Sequence, residues 1–231
     1  MSETVPSLEL TLLLIGVPAV SWAVGAFVIL EGVSDIRARD PIAIPAGATA
    51  RLVQYFAITA TAPIFGLIPW LMVSGIEDNF GSPSAPVAAL LDALGVAFAW
   101  TAVVATGTQA WITRVRLRLF VGLDFGRVLP LVVVPSTVVI FGLVLSFLVL
   151  GRVEDSAGWA PLTAEGATRM STALLVYSAS TTAVAVSSFV AGRVRDLRQM
   201  RNFVRAVSMT DSGVLISILA LAWAFSQITS V

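Results

Sequence analysis

Six stretches of this 231-residue chain run for about twenty residues or more with almost no charge. They extend from Leu10 to Leu30, Leu52 to Ile76, Ala93 to Thr113, Val128 to Gly151 and Met170 to Gly192, then from Ala206 to Val231. The last is interrupted only by Asp211. Crossing about 30 Å of hydrocarbon takes about 20 apolar residues at a helical rise of about 1.5 Å each. Each stretch is therefore long enough to span a bilayer. Helix is the expected form, because it satisfies every backbone N–H and C=O within its own segment. Composition agrees: 57% of residues are hydrophobic, 12% are charged and the mean hydropathy is +0.92. Soluble domains carry about 25% charged residues.

The expected fold is an all-α membrane protein of six transmembrane helices. They group as three tandem hairpins over residues 8–76, 87–151 and 167–231, the last carrying Asp211. The first apolar run reads as a permanent helix: Glu3 and Glu9 precede it and no basic segment does, unlike a cleavable signal. All 14 basic residues are arginines. The loops after the first, third and fifth stretches hold Arg37, Arg39, Arg51, Arg114, Arg116, Arg118, Arg127, Arg193, Arg195, Arg198, Arg201 and Arg205. The other side has only Arg152 and Arg169 among several carboxylates. The positive-inside rule then places these loops in the cytoplasm and both termini outside. Arginine runs can also mark nucleic-acid or anionic-lipid binding, but this bias is the one topology alone produces, so no nucleic-acid partner is expected. The chain has no Cys and no His, which removes thiolate metal sites and the usual neutral-pH general base. No metal site, cofactor or hydrolytic centre is expected.

The even-numbered stretches repeat one another. The second reads Ala60-Thr61-Ala62-Pro63-Ile64-Phe65-Gly66-Leu67-Ile68, and the fourth Ser136-Thr137-Val138-Val139-Ile140-Phe141-Gly142-Leu143-Val144. The sixth reads Asp211-Ser212-Gly213-Val214-Leu215-Ile216-Ser217-Ile218-Leu219. Successive starts, at Ala60, Ser136 and Asp211, lie 76 and 75 residues apart. The odd stretches end in Ile36-Arg37-Ala38-Arg39, Val115-Arg116-Leu117-Arg118 and Val194-Arg195-Asp196-Leu197-Arg198. They are rich in small residues, most clearly from Ser178 to Ser188. Small residues let helix backbones approach where the hydrophobic effect offers no drive. The odd helices are therefore expected in an inner layer and the bulkier even helices in a lipid-facing outer one.

Asp211 is the one charge placed well inside the membrane, six residues beyond Arg205 or about 9 Å further along a helix. A carboxylate there costs about 2.5–3.5 kcal/mol even on insertion scales, which marks it as a functional candidate. Ser208, Thr210 and Ser212 stand beside it and can hydrogen-bond either protonation state. The competing reading makes Asp211 a protonated packing residue. Ala60 and Ser136 at the equivalent positions weigh against that, since the repeat accepts a neutral side chain there.

Three hairpins with small-residue first helices and an acid on a second helix resemble the proteolipid of V/A-type rotary ATPases, the rotor-ring subunit also called c or K. That family carries a motif close to Pro-Glu-Thr, two variable residues, then Ile-Tyr-Gly. Pro135-Ser136-Thr137-Val138-Val139-Ile140-Phe141-Gly142 is similar, with Ser136 for the acid. Thr59-Ala60-Thr61-Ala62-Pro63-Ile64-Phe65-Gly66 has Ala60 there, and Thr210-Asp211-Ser212-Gly213-Val214-Leu215-Ile216-Ser217 keeps an acid but loses the aromatic-glycine end. The resemblance implies a ring of copies of this chain in a prokaryotic plasma membrane. It also implies a stator membrane subunit and a central stalk as partners. Ions, H⁺ rather than Na⁺, would be carried at Asp211 with Ser212, Thr210 and Ser208 around it. No Walker-type glycine-rich loop is present, so ATP chemistry would lie on other subunits. The alternatives are a self-contained ion-coupled transporter or channel, and a non-transporting membrane assembly subunit.

Overall fold

The computed structural model describes residues 6–40, 61–80, 83–117, 128, 130–131, 133–155, 162–194 and 196–230. The described residues are almost entirely helical, in six long helices. We label them α1 (Leu8–Arg39), α2 (Thr61–Phe80), α3 (Ala85–Val115), α4 (Thr137–Asp155), α5 (Ala164–Ala191) and α6 (Met200–Thr229). All but α2 are long and apolar enough to cross a membrane, α4 with the single 3₁₀ turn Val134–Ser136 ahead of it. In α2 the apolar part is Ile64–Glu77. The first third of the expected second span, including Ala60, lies outside the described residues. Of the six crossings expected, five are thus present as membrane-length helices.

Local chemistry sets several helix ends. The Ser7 hydroxyl accepts from the Leu10 N–H at 3.2 Å, and that of Thr163 from the Gly166 N–H at 3.1 Å. Each cap satisfies a donor that the first turn leaves open. Pro86, in the first turn of α3, has no N–H to waste there. The α5–α6 link is short and turns through Asp196 at φ 53°, a left-handed conformation that Asp tolerates better than most side chains. So short a link makes its two helices antiparallel neighbours.

The helices pack in two rows. α1, α3 and α5 lie side by side with α3 in the middle. α2, α4 and α6 form the second row with α4 in the middle. The odd helices run parallel: Arg114 at the end of α3 reaches Glu31 near the end of α1, at 2.7 Å. One residue beyond α3, Arg116 donates through Nη2 to the Ala191 carbonyl that closes α5. These contacts gather the arginine-bearing helix ends at one end of the bundle. At the opposite end, Arg152 of α4 donates to the Thr229 carbonyl of α6 at 3.1 Å.

α3 is enclosed most completely, and the reason is visible in its residues. Its buried positions include Gly95, Ala97, Ala99, Ala102, Ala105 and Ala110, with Thr101 and Thr106 between them. The threonine hydroxyls return to their own helix, Thr101 to the Ala97 carbonyl and Thr106 to that of Ala102, both at 2.8 Å. These two hydroxyls are thus satisfied, whereas the buried hydroxyls of Thr108 and Thr113 find no partner among the described residues. Two longer ties cross between helices. Tyr177 of α5 donates to the Val138 carbonyl of α4 at 2.5 Å, and Trp70 Nε1 of α2 to Thr11 Oγ1 of α1 at 2.9 Å. Gly66 of α2 meets the Leu14 carbonyl of α1 so closely that a Cβ would collide with it.

Candidate functional site on the last helix

The face that α6 turns to α5 is made of small residues: Ala206, Thr210, Gly213, Ser217 and Ala224 are buried along it. Gly213 is the closest point. A Cβ there would lie 2.6 Å from the Ala183 carbonyl oxygen and 2.8 Å from Val184 Cα. The two backbones also exchange side-chain bonds. Ser187 Oγ donates to the Thr210 carbonyl at 3.4 Å, and Ser217 Oγ to that of Ser180 at 3.3 Å. These pairs fix the antiparallel register, with Ser187 level with Thr210 and Ser180 level with Ser217.

That packing decides where Asp211 goes. At about 100° per residue in a 3.6-residue turn, the carboxylate follows buried Thr210 and precedes buried Gly213, yet it is rotated out of the α5 contact. Asp211 is exposed, as are Ser208, Ser212 and Leu215. Ser208, Asp211 and Ser212 together line an open cavity of about 520 Å³ whose other walls include Val214, Leu215 and Ile218. Asp211 lies 11 residues after the start of this 30-residue helix, about 17 Å along a rod of about 45 Å. No hydrogen bond or ion pair engages its carboxylate among the described residues. Ser212 Oγ donates to the Met209 carbonyl at 2.7 Å.

Of the four residues expected at the site, the structure brings three to one face and sets Thr210 apart. Thr210 is 1% exposed, donates to the Ala206 carbonyl at 3.2 Å and faces α5. The α5 hydroxyls fall elsewhere too. Ser178, Ser180 and Thr181 donate to carbonyls of their own helix, and their level on α6 is near Ser217. They add no oxygen around Asp211. At the equivalent position in α4, the Ser136 hydroxyl donates to the Val133 carbonyl at 2.6 Å inside a 3₁₀ turn, so its polar group is satisfied locally. No group of three or more His, Cys, Asp or Glu able to hold a metal occurs among the described residues.

Arg116 is a feature the charge pattern alone does not reveal. In sequence it is one more arginine at a membrane border, but its side chain is 4% exposed and locks the ends of α3 and α5 together. Burial lowers its guanidinium to about 10, which leaves it charged at neutral pH. The signal for it was its register, since Arg37 and Arg195 hold the same place in the other repeats.

Together these features define an all-helical integral membrane protein with an unpaired acid on the exposed flank of its last helix. No protein family, no characterised protein and no solved structure matches the chain.

Proposed function

We propose that the chain is a six-span rotor subunit of the V/A-type rotary ATPase kind, carrying protons on Asp211. The observation that carries the reading is the placement of that acid. It stands part-way along an apolar helix, turned away from the bundle, with no partner among the described residues. A fixed structural acid is expected to face inward and be hydrogen-bonded. A carrier acid must instead be reachable from outside and able to go neutral. The two-row packing gives further support, since a row of parallel α1, α3 and α5 is the layer that copies of the chain would continue into a ring. A self-contained transporter of repeated design would show helix breaks at matching positions. Among the described residues the two irregular turns, at Leu12–Gly16 and Val134–Ser136, do not match. The position equivalent to Ser136 in α6 is regular α-helix.

In this reading Asp211 takes up a proton from an aqueous half-channel in a stator subunit. It travels past lipid as the neutral acid, because the charged form is too costly there. It then gives the proton up where a stator arginine favours the carboxylate. Ser208 and Ser212 hydrate or hydrogen-bond the acid during exchange. Proton is favoured over sodium by the ligand count: a hard cation needs several fixed oxygens. Among the described residues only the two serines join Asp211 in its cavity.

Carbodiimide labelling tests this assignment. A hydrophobic carbodiimide, which reacts with protonated carboxyls in apolar surroundings, is expected to modify Asp211 ahead of every other acid. Millimolar sodium is expected to give no protection at constant pH. Protection by sodium would replace the proton with a sodium ion. Failure to label Asp211 would remove it as the carrier.

A further inference from the structure

The turn between α5 and α6 folds two arginines over a cavity of about 390 Å³ that shares no lining residue with the one at Asp211. Its walls are Val190, Arg193 and Val194 at the end of α5, and Asn202, Arg205 and Met209 in the first turns of α6. The Arg193 guanidinium sits 4.8 Å over the centre of the Phe189 ring, which holds its charge in place while leaving its N–H edges free. Neither Arg193 nor Arg205 forms an ion pair among the described residues. The contrast is Arg114, at the same repeat position as Arg193, which is taken up by Glu31 and Asp35 at 2.7 and 3.6 Å. Two cations without an ion-pair partner among the described residues therefore line one cavity at the membrane border of α5 and α6.

Asn202 apart, the rest of the cavity is apolar. Val190 and Met209 lie on its membrane side, with Val194 in the turn, and Val186 and Phe189, 60% and 46% exposed, extend the apolar surface along α5 toward the bilayer centre. A matching ligand needs an anionic oxygen cluster at one end and hydrocarbon at the other. We propose that this cavity binds the phosphodiester headgroup of an anionic phospholipid, with its acyl chains laid along α5. Guanidinium groups match phosphate oxygens in fork geometry, and basic pockets between transmembrane helices are known to take lipid headgroups. At about 30 Å³ per water the cavity holds the equivalent of roughly 13 waters, enough for a phosphate and its glycerol. Free phosphate would satisfy the arginines but leave Val190, Val194 and Met209 uncovered. The site stands on this cavity and not on the transport reading, so it holds whichever ion Asp211 carries.

Native mass spectrometry of the full chain in mild detergent, with equal amounts of phosphatidylglycerol and phosphatidylcholine, tests the proposal. Retention of phosphatidylglycerol is expected to exceed that of phosphatidylcholine by on the order of tenfold. The double variant R193Q/R205Q is expected to bring the ratio to about one. R198Q/R201Q removes the same charge from the same exposed turn outside the cavity and is expected to keep the preference. A preference that survives R193Q/R205Q, or that falls equally in R198Q/R201Q, would overturn the site. Inorganic phosphate binding as tightly as the lipid would overturn the lipid assignment.

Discussion

In the proposed rotor, Asp211→Asn is expected to abolish ion movement in vesicles reconstituted with the whole complex, stator included, down to the leak of protein-free vesicles, while leaving the chain folded and inserted. The two effects separate because of where the side chain lies. Asp211 is exposed on the flank of α6 and bonds to nothing among the described residues, so its loss is expected to remove little packing. Its charge is also unfavourable in hydrocarbon by about 2.5–3.5 kcal/mol, so the amide should insert at least as well. An inert structural acid would show a different pattern, with stability changed and transport kept. Proton flux measured with a pH-sensitive dye, alongside thermal unfolding in detergent, distinguishes the two. Flux that survives the substitution would remove Asp211 from the transport path.

Gly213→Leu is expected to have the largest effect on the fold. An added Cβ meets the Ser187 hydroxyl, and it stands 2.6 Å from the Ala183 carbonyl oxygen and 2.8 Å from Val184 Cα. Two of these three are backbone atoms of α5, which no rotamer change can move aside. Overpacking ordinarily costs about 1–3 kcal/mol. Here the two most intimately packed helices must separate, so the cost is expected at or above the top of that range. Gly107→Ala is the control, since a Cβ there meets nothing within 4 Å. Replacing glycine by alanine inside a helix is favourable by about 0.5–1 kcal/mol. Denaturant or detergent titration followed by circular dichroism should show a large loss for the first and none for the second. Equal stability of the two variants would mean that α5 and α6 do not approach as described.

Much of this architecture is legible in the residues because the bilayer imposes simple rules. Uncharged runs mark the helices: each of the five described at membrane length overlaps its expected run, with ends up to nine residues away (Arg39 against Leu30), and α1, α3, α5 and α6 continue past the apolar part. The enrichment of small residues marks the odd helices, although the most enclosed is α3 and not α5. On α5, Thr172, Ala179, Thr182 and Val186 remain exposed, because small residues permit close packing without saying which side receives a neighbour. The same limit applies at the site. Thr210 and Asp211 are adjacent in sequence, and only the rotation of α6 sends one to α5 and the other outward. That rotation is set by Gly213 meeting Ala183 and Val184, a contact between segments about thirty residues apart in the chain. Spacing along one helix carries no information about it. The same register places the oxygens of Ser178, Ser180 and Thr181 near Ser217 and away from Asp211. Arg193 and Arg205 read as topology signals in sequence, and their convergence over one cavity emerges only when the turn at Asp196 closes.

The rotor assignment stands or falls on assembly. The full chain, purified in mild detergent and imaged by electron microscopy along the membrane normal, is expected to form closed rings. In these the α1, α3 and α5 rows of successive copies would make a continuous inner wall, with Asp211 on the outer surface of each copy. Particles that are only monomers or dimers, with Asp211 still required for flux, would contradict it and identify a self-contained transporter instead.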